Sequence, residues 1–263
     1  MTRAWRALRA AGNLRQRFVG SDGYGLAYGS HPAGTATATS DLDLVLIGPR
    51  PLTPDRLTDL VDAVWQLHHA HGLAVDTEVD YAVKVYATCD DVTAAVSLRC
   101  FPTDEDGRID VPPVVVEPWF LNSEAFRLRL LLNALTSPHS FLGGNVTLYD
   151  QHRRHAEQAL ALLALSLHGD SMITLADAVA VVTEHAEGAR GEDFLGYAPG
   201  PHLQSVLHRG LARLRDAETV REVDRSRFEC DPAALPAALA RHRAQAVAGR
   251  GSAGAPGTMD VCS

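Results

Sequence analysis

The stretch YGLAYGSHPAGTATATSDLDLVLIGP, residues 24–49, decides the fold and the chemistry expected of this chain. A short apolar segment ends in Gly29 and Ser30, and a loop of small polar residues follows. Asp41 and Asp43 then stand at the start of a second apolar segment, which has the composition of a buried strand. Because they stand at i and i+2, both side chains point to the same face of a strand. A buried carboxylate is costly unless it is paired or bound to a metal, so the pair predicts a divalent-cation site.

The composition indicates a globular protein of one large domain or two small ones. The chain has 263 residues, of which 46% are apolar and 21% charged, enough to bury a sizeable core. Its net charge of -8 argues against a general binder of nucleic acid or of a membrane surface. The cysteines show no CxxC spacing and are typical of free thiols in a reducing compartment, which predicts a cytoplasmic protein. They are Cys89, Cys100, Cys230 and Cys262.

The first part of the chain reads as a mixed α/β unit. Helices are expected over residues 3–17 and from about 53 to 70, and a short one follows residue 90. Thr53 is a plausible N-cap with proline after it, and Gly72 ends that helix. Residues 73–86 alternate with period two and predict a strand.

One face of the strand predicted over residues 73–86 is acidic. Asp76, Glu78 and Asp80 share it with Lys84, the only lysine of the chain. We expect one of the three acids to join Asp41 and Asp43, with Asp76 and Glu78 ahead of Asp80. Lys84 is interpreted as a partner of a triphosphate or of Asp80, with a plain surface lysine as the alternative.

Two further groups of charged side chains receive structural interpretations. His68, His69 and His71 stand at a helix end, where an imidazole interacts with the helix dipole. Arg127 and Arg129 lie on an apolar helix. Contact of one of them with a phosphate is one interpretation, and a salt bridge at the rim of the cleft is the preferred one.

The rest of the chain is helical in pattern. Apolar periodicity predicts helices over residues 123–135, 146–168, 176–187, 201–215 and 232–247. The fold class is therefore α+β, with an N-terminal mixed sheet and flanking helices followed by a C-terminal helical bundle. The predicted units are a catalytic domain at 1–115, a helical domain at 116–248 that holds an acceptor, and a disordered tail at 249–263.

Gly29-Ser30, Gly34 and the segment SDLDL at residues 40–44 resemble the signature of the polymerase-beta-like nucleotidyltransferase superfamily. The likeness is greatest to its small bacterial members and to the aminoglycoside and lincosamide nucleotidyltransferases. That family has Gly-Ser, a second glycine, Ser-Asp-apolar-Asp-apolar, a third carboxylate on a later strand, and a helical domain. Its small members usually carry an arginine where this chain has Ala33.

The resemblance implies a Mg²⁺-dependent transferase with two metal ions. The implied catalytic residues are Asp41, Asp43, Asp76 and Glu78, and the implied metal ligands are Asp41, Asp43 and Glu78. The nucleotide site is expected to contain Gly29, Ser30 and Ser40. Lys84 is added to it because it lies on the acidic face of the strand predicted over residues 73–86. The expected reaction moves a nucleoside monophosphate, AMP from ATP before other nucleotides, to a hydroxyl of a small molecule such as an antibiotic or a natural-product intermediate.

Two other functions stay open at the level of sequence. One is an AMP-transferase that modifies a protein partner, and the other is a nucleotide-binding module without turnover. The long helical region favours a pocket for a small hydroxylated acceptor. No nucleic-acid or membrane partner is expected, and the oligomeric state stays open.

Overall fold

The computed structural model describes residues 3–37, 40–75, 81–109, 123–186 and 197–248. The helices in these ranges are α1 (Arg3–Phe18), α2 (Ser30–Ala33), α3 (Pro54–His71), α4 (Tyr81–Lys84), α5 (Cys89–Val96), α6 (Glu124–Thr136), α7 (Val146–His168), α8 (Leu175–Ala186), α9 (Pro201–Asp216) and α10 (Leu235–Ala248). The strands are β1 (Tyr24–Tyr28), β2 (Asp43–Gly48), β3 (Tyr86–Thr88), β4 (Ser140–Gly144), β5 (Met172–Thr174), β6 (Val220–Asp224) and β7 (Arg227–Cys230). No helix in these ranges is both long and apolar enough to cross a membrane.

A mixed sheet of four strands forms the centre of the fold, in the order β3-β2-β1-β4. β1 is antiparallel to β2 and β4, whereas β2 is parallel to β3. Helices pack on this sheet, so the α+β class predicted from the sequence is confirmed.

Both faces of the sheet are buried, and the alternation of side chains in β2 shows how. Leu44 and Leu46 belong to a core that also contains buried residues of α1 and α3. Val45 and Ile47 point the other way, into a larger core that includes residues of α5, α6 and α7. The continuous apolar run of β2 is the pattern expected of a strand covered on both faces.

Strand β4 joins the two halves that the sequence separated at residue 116. It pairs with β1, with Ala27 opposite Ser140 and Leu26 opposite Phe141. The larger core also continues without interruption from β1 to α9. The predicted boundary therefore does not coincide with a break in the packing, and residues 110–122 and the predicted tail 249–263 lie outside the described residues.

The five C-terminal helices form close to where periodicity predicted them, as α6 to α10. They are accompanied by a second sheet, β5-β7-β6, that the sequence did not predict. Its strands have three to five residues, and only Ile173 and Phe228 among them are fully enclosed. Strands this short carry almost no periodic signal.

The strand predicted over residues 73–86 is wrong in part. Tyr81–Lys84 is a helical turn, α4, and β3 begins only at Tyr86. The buried Tyr81 ring packs edge-on against Trp65 and His68 of α3. These contacts outweigh the period-two pattern, because strand propensity depends on context.

Two buried histidines of the larger core connect elements that are distant in the sequence. His152 of α7 shares a hydrogen bond of 2.9 Å with the Tyr24 hydroxyl, and His242 of α10 donates from Nε2 to the Val96 carbonyl at 2.8 Å. Burial lowers the pKa of each imidazole from 6.5 to about 4. Both rings are therefore neutral in the folded protein near pH 7.

We predict that these two histidines make the fold sensitive to acid. The unfolded chain protonates them near pH 6.5 and the folded chain only near pH 4, so their contribution is complete above pH 6.5 and is lost as the pH falls toward 4. From pH 7.5 to 5 each should lower the free energy of unfolding by about 2 kcal/mol. Urea unfolding of wild type and of His152→Asn/His242→Gln at both pH values measures this. An equal loss in the two proteins would contradict the prediction.

Candidate active site

The end of β1 and the start of β2 form one side of the candidate site. The two strands are antiparallel, and Tyr28 pairs with Asp43. The loop between them therefore leaves and re-enters the sheet at the same edge. This brings Gly29 next to Asp43.

Asp41 and Asp43 converge on a single cation, the side chain of Lys84. Lys84 Nζ donates to Asp41 Oδ2 at 3.2 Å and to Asp43 Oδ1 at 3.3 Å. The lysine side chain is only 5% exposed, while the two carboxylates are 21% and 24% exposed. The i, i+2 pair thus shares one face, as predicted, and part of each carboxylate is open to solvent.

The position of Lys84 differs from the one inferred for a straight strand. Helix α4 places it at the end of one helical turn, and its ammonium lies 4.8 Å from the centre of the Tyr81 ring, a cation–π contact. A buried ammonium is stable only when opposite charge and hydrogen bonds replace its water. Asp41 and Asp43 provide both, so Lys84 belongs to the carboxylate pair in this structure.

Gly29 allows the Asp43 carboxylate to lie against the backbone. Its φ of 76° and ψ of -150° form a combination that essentially only glycine adopts. A Cβ added there would stand 2.2 Å from Asp43 Oδ2. The resemblance assigns Gly29 to a nucleotide site, and in the structure the group that lies against it is the Asp43 carboxylate.

Ser30 and Ser40, the other predicted residues of the nucleotide site, make contacts within the same loop. Ser30 begins α2, and its carbonyl accepts from Thr35 N at 3.0 Å. The Ser40 hydroxyl accepts from Thr37 N at 2.9 Å and closes a turn directly before Asp41. These contacts give the loop its shape next to the carboxylates.

The third predicted carboxylate lies outside the described residues. Asp76, Glu78 and Asp80 all fall in residues 76–80, between the end of α3 and the start of α4. The next described range begins at Tyr81, three residues before Lys84. The assignment of Glu78 as a metal ligand and of Asp76 or Glu78 as a catalytic group stays a prediction.

The described residues offer two carboxylates to a cation. Within them, no group of three or more His, Cys, Asp or Glu side chains is arranged to hold a metal ion. Asp41 and Asp43, however, present two carboxylate oxygens to one cation at 3.2 and 3.3 Å. Mg²⁺ prefers such oxygen ligands and is commonly held by one or two carboxylates, with water and substrate phosphates completing its shell. The pair fits this requirement.

His68 is a functional candidate that the sequence interpretation missed. It was grouped with helix-end histidines, but its side chain is fully buried. Its Nε2 accepts a hydrogen bond of 3.1 Å from the backbone N–H of Leu42, the residue between the two aspartates. The available signal was its place four residues after Val64, on the apolar face of the helix.

Arg127 lies at the rim, as the sequence interpretation preferred. Its guanidinium forms an ion pair with Asp91 of α5, and both side chains are partly exposed. Arg129, its neighbour on α6, is buried against Phe101 and donates to the Cys100 carbonyl at 3.2 Å. In the structure Arg127 therefore joins α6 to α5, and Arg129 joins α6 to the segment that follows α5.

No protein-family model, curated protein or solved structure matches this chain. A function for this chain is therefore inferred from its own residues and their geometry. The two carboxylates, the glycine beside them and the lysine between them are the basis for the proposal below.

We predict that Gly29→Ala displaces the Asp43 carboxylate. The variant should lose about 1–3 kcal/mol of stability from the backbone conformation alone, and its affinity for Mn²⁺ should fall because one ligand has moved. Urea unfolding and calorimetric Mn²⁺ titration measure the two effects. Gly34→Ala is the matched control: its φ is 77°, but an added Cβ meets nothing within 4 Å. Equal Mn²⁺ affinity in the two variants would refute the assignment.

We also predict that Lys84→Met makes the protein dependent on a divalent cation. Without metal, the uncompensated carboxylates should lower the free energy of unfolding by about 2–4 kcal/mol. Mn²⁺ should raise the melting temperature of the variant more than that of wild type, because the ion occupies the place of the ammonium. Arg56→Met, which removes an exposed cation paired with Asp59, should change little. A Lys84→Met protein as stable as wild type would exclude this role.

Proposed function

We propose that this protein is a Mg²⁺-dependent nucleotidyltransferase that moves a nucleoside monophosphate, AMP from ATP, to a hydroxyl group of a small molecule. An antibiotic or a natural-product intermediate has the required hydroxyl. The observation that carries the proposal is the convergence of Asp41 and Asp43 on one cation position, 3.2 and 3.3 Å from Lys84 Nζ. Gly29 lets the Asp43 carboxylate take this position, because a Cβ there would stand 2.2 Å from Asp43 Oδ2.

The residues of the site divide the work of such a reaction. Asp41 and Asp43 hold the metal, with Glu78 as the third ligand in the proposal. Mg²⁺ bound there supplies positive charge that orients the triphosphate and stabilises the charge that develops during in-line displacement. The small residues of the loop after Gly29 let the backbone approach the phosphates.

The transfer itself breaks one bond and forms another. The acceptor hydroxyl oxygen attacks the α-phosphorus, and the bond from that phosphorus to the leaving pyrophosphate breaks. The hydroxyl proton passes to a carboxylate, for which Asp76 and Glu78 are the proposed groups. Lys84, already at the carboxylates, compensates negative charge when the triphosphate enters.

The wider architecture supports a bound acceptor. Asp43 and Tyr28 point to the face of the sheet that is covered by α5, α6 and α7, since Tyr28 and Val45 belong to the larger core. We propose that the sheet is the catalytic unit of a cytoplasmic transferase and that helices α6 to α10 hold the acceptor. A nucleic-acid acceptor fits poorly with the net charge of -8.

One observation favours a second candidate, a nucleotide-binding module without turnover. Lys84 occupies the cation position between the carboxylates, so one of their two negative charges is balanced without a metal. Ala33, in place of the arginine usual in the resembling family, points the same way. Such a module would bind the nucleotide and release no pyrophosphate.

The experiment that tests the proposal is release of pyrophosphate from each nucleoside triphosphate, with Mg²⁺ and a panel of hydroxylated acceptors. Wild type should release it with ATP and a suitable acceptor. Asp43→Asn should lower the rate by about 100-fold or more, because the site loses a charge that acts in the transition state, while the melting temperature stays close to that of wild type.

Asp59→Asn, at an exposed position of α3, is the control and should keep the full rate. Nucleotide binding without pyrophosphate from any combination would favour the module instead. A transfer rate that survives Asp43→Asn would rule out the metal site described here.

A further inference from the structure

The imidazole of His68 connects helix α3 to the aspartate segment. Leu42 N–H donates to His68 Nε2 at 3.1 Å, and the chain separation is 26 residues. The imidazole and the Leu42 side chain are both buried. The bond is therefore shielded from water, which would otherwise compete for the amide.

The second ring nitrogen determines which tautomer this bond uses. His68 Nδ1 lies 2.8 Å from the carbonyl oxygen of Val64, one turn earlier in α3. A carbonyl only accepts, so Nδ1 carries the hydrogen, and an amide only donates, so Nε2 is bare. The helix backbone thus holds the ring in the one neutral form that can accept from Leu42.

The position of Leu42 explains why this bond affects the orientation of both aspartates. Leu42 lies directly before β2, and its amide is flanked by the two carboxylate residues. A buried amide without a partner is destabilising by roughly 1–3 kcal/mol. Losing the acceptor would let the segment rotate to find another one, and Asp41 and Asp43 would turn with it.

The same ring also supports the cation side of the site. His68 packs edge-on against Tyr81, with ring centres 5.9 Å apart and planes at 85°. The ammonium of Lys84 in turn lies over the Tyr81 ring, with Nζ 4.8 Å from the ring centre. One buried imidazole therefore contacts the backbone of the anions and the aromatic ring under the cation.

We propose that His68 is a positioning residue of the site, which fixes the Leu42 amide and so aims Asp41 and Asp43 at one shared cation. This rests on the proposed function for its metal. His68 touches neither substrate nor ion, and acts through Leu42 and Tyr81.

The test compares Mn²⁺ affinity with stability in three variants. His68→Leu keeps the volume but removes the acceptor, and should bind Mn²⁺ about 10–100-fold more weakly than wild type. His68→Gln offers a carbonyl oxygen to Leu42 and should recover most of that affinity. His152→Leu removes another buried histidine, which bonds to Tyr24 at the end of β1 opposite Tyr28, the partner of Asp43, and should lose stability while keeping its Mn²⁺ affinity.

A direct measurement in wild type does not depend on any variant folding. The Leu42 amide should show a nitrogen–nitrogen coupling to His68 Nε2 across the hydrogen bond in ¹⁵N NMR, with the hydrogen of the ring on Nδ1. Absence of the coupling overturns the proposal, and so does unchanged Mn²⁺ affinity in folded His68→Leu or an equal loss in His152→Leu.

Failure of the proposed function has a different signature. If wild type binds Mn²⁺ in a His68-dependent manner but releases no pyrophosphate from any nucleotide, the transferase is excluded and the positioning role stands. If wild type binds no Mn²⁺ at all, both are excluded.

Discussion

Two carboxylates on one face at the start of a buried strand repel each other, and the site is built around that repulsion. The side chains of Asp41 and Asp43 are only 21% and 24% exposed, so water screens their mutual repulsion less than it would on an open surface. A cation between them removes the repulsion, and in this structure the cation is the ammonium of Lys84. A metal ion carrying two charges would balance both carboxylates and would keep open coordination positions for phosphate oxygens.

Two neighbouring residues keep this carboxylate pair in position. Gly29 removes the side chain that would push Asp43 away, and His68 accepts the amide of Leu42. Gly29 acts by leaving space for the Asp43 carboxylate, whereas His68 acts on the backbone between the two aspartates. The carboxylate oxygens therefore stay available to a cation while the backbone of the aspartate segment is held in place. This is the condition for a preorganised site.

The sheet that carries this site is completed from far along the chain. β4 binds β1 on the side opposite β2, and α7 follows it directly. The helices after residue 123 therefore cover the face to which Asp43 points. In the function we propose, this placement lets one continuous core connect the acceptor-holding helices to the metal site.

The sequence by itself determined the local parts of this protein. Thr53 and Gly72 mark the ends of α3, and the periodicity of residues 146–168 defines α7, because caps and apolar spacing act within a few turns. The i, i+2 spacing of Asp41 and Asp43 likewise placed them on one face. Only the tertiary structure decided that Lys84 reaches them, that His68 is buried beneath them, and that β4 joins their sheet. Those contacts span 26 or more residues, and their partners are selected by packing, which local pattern does not encode.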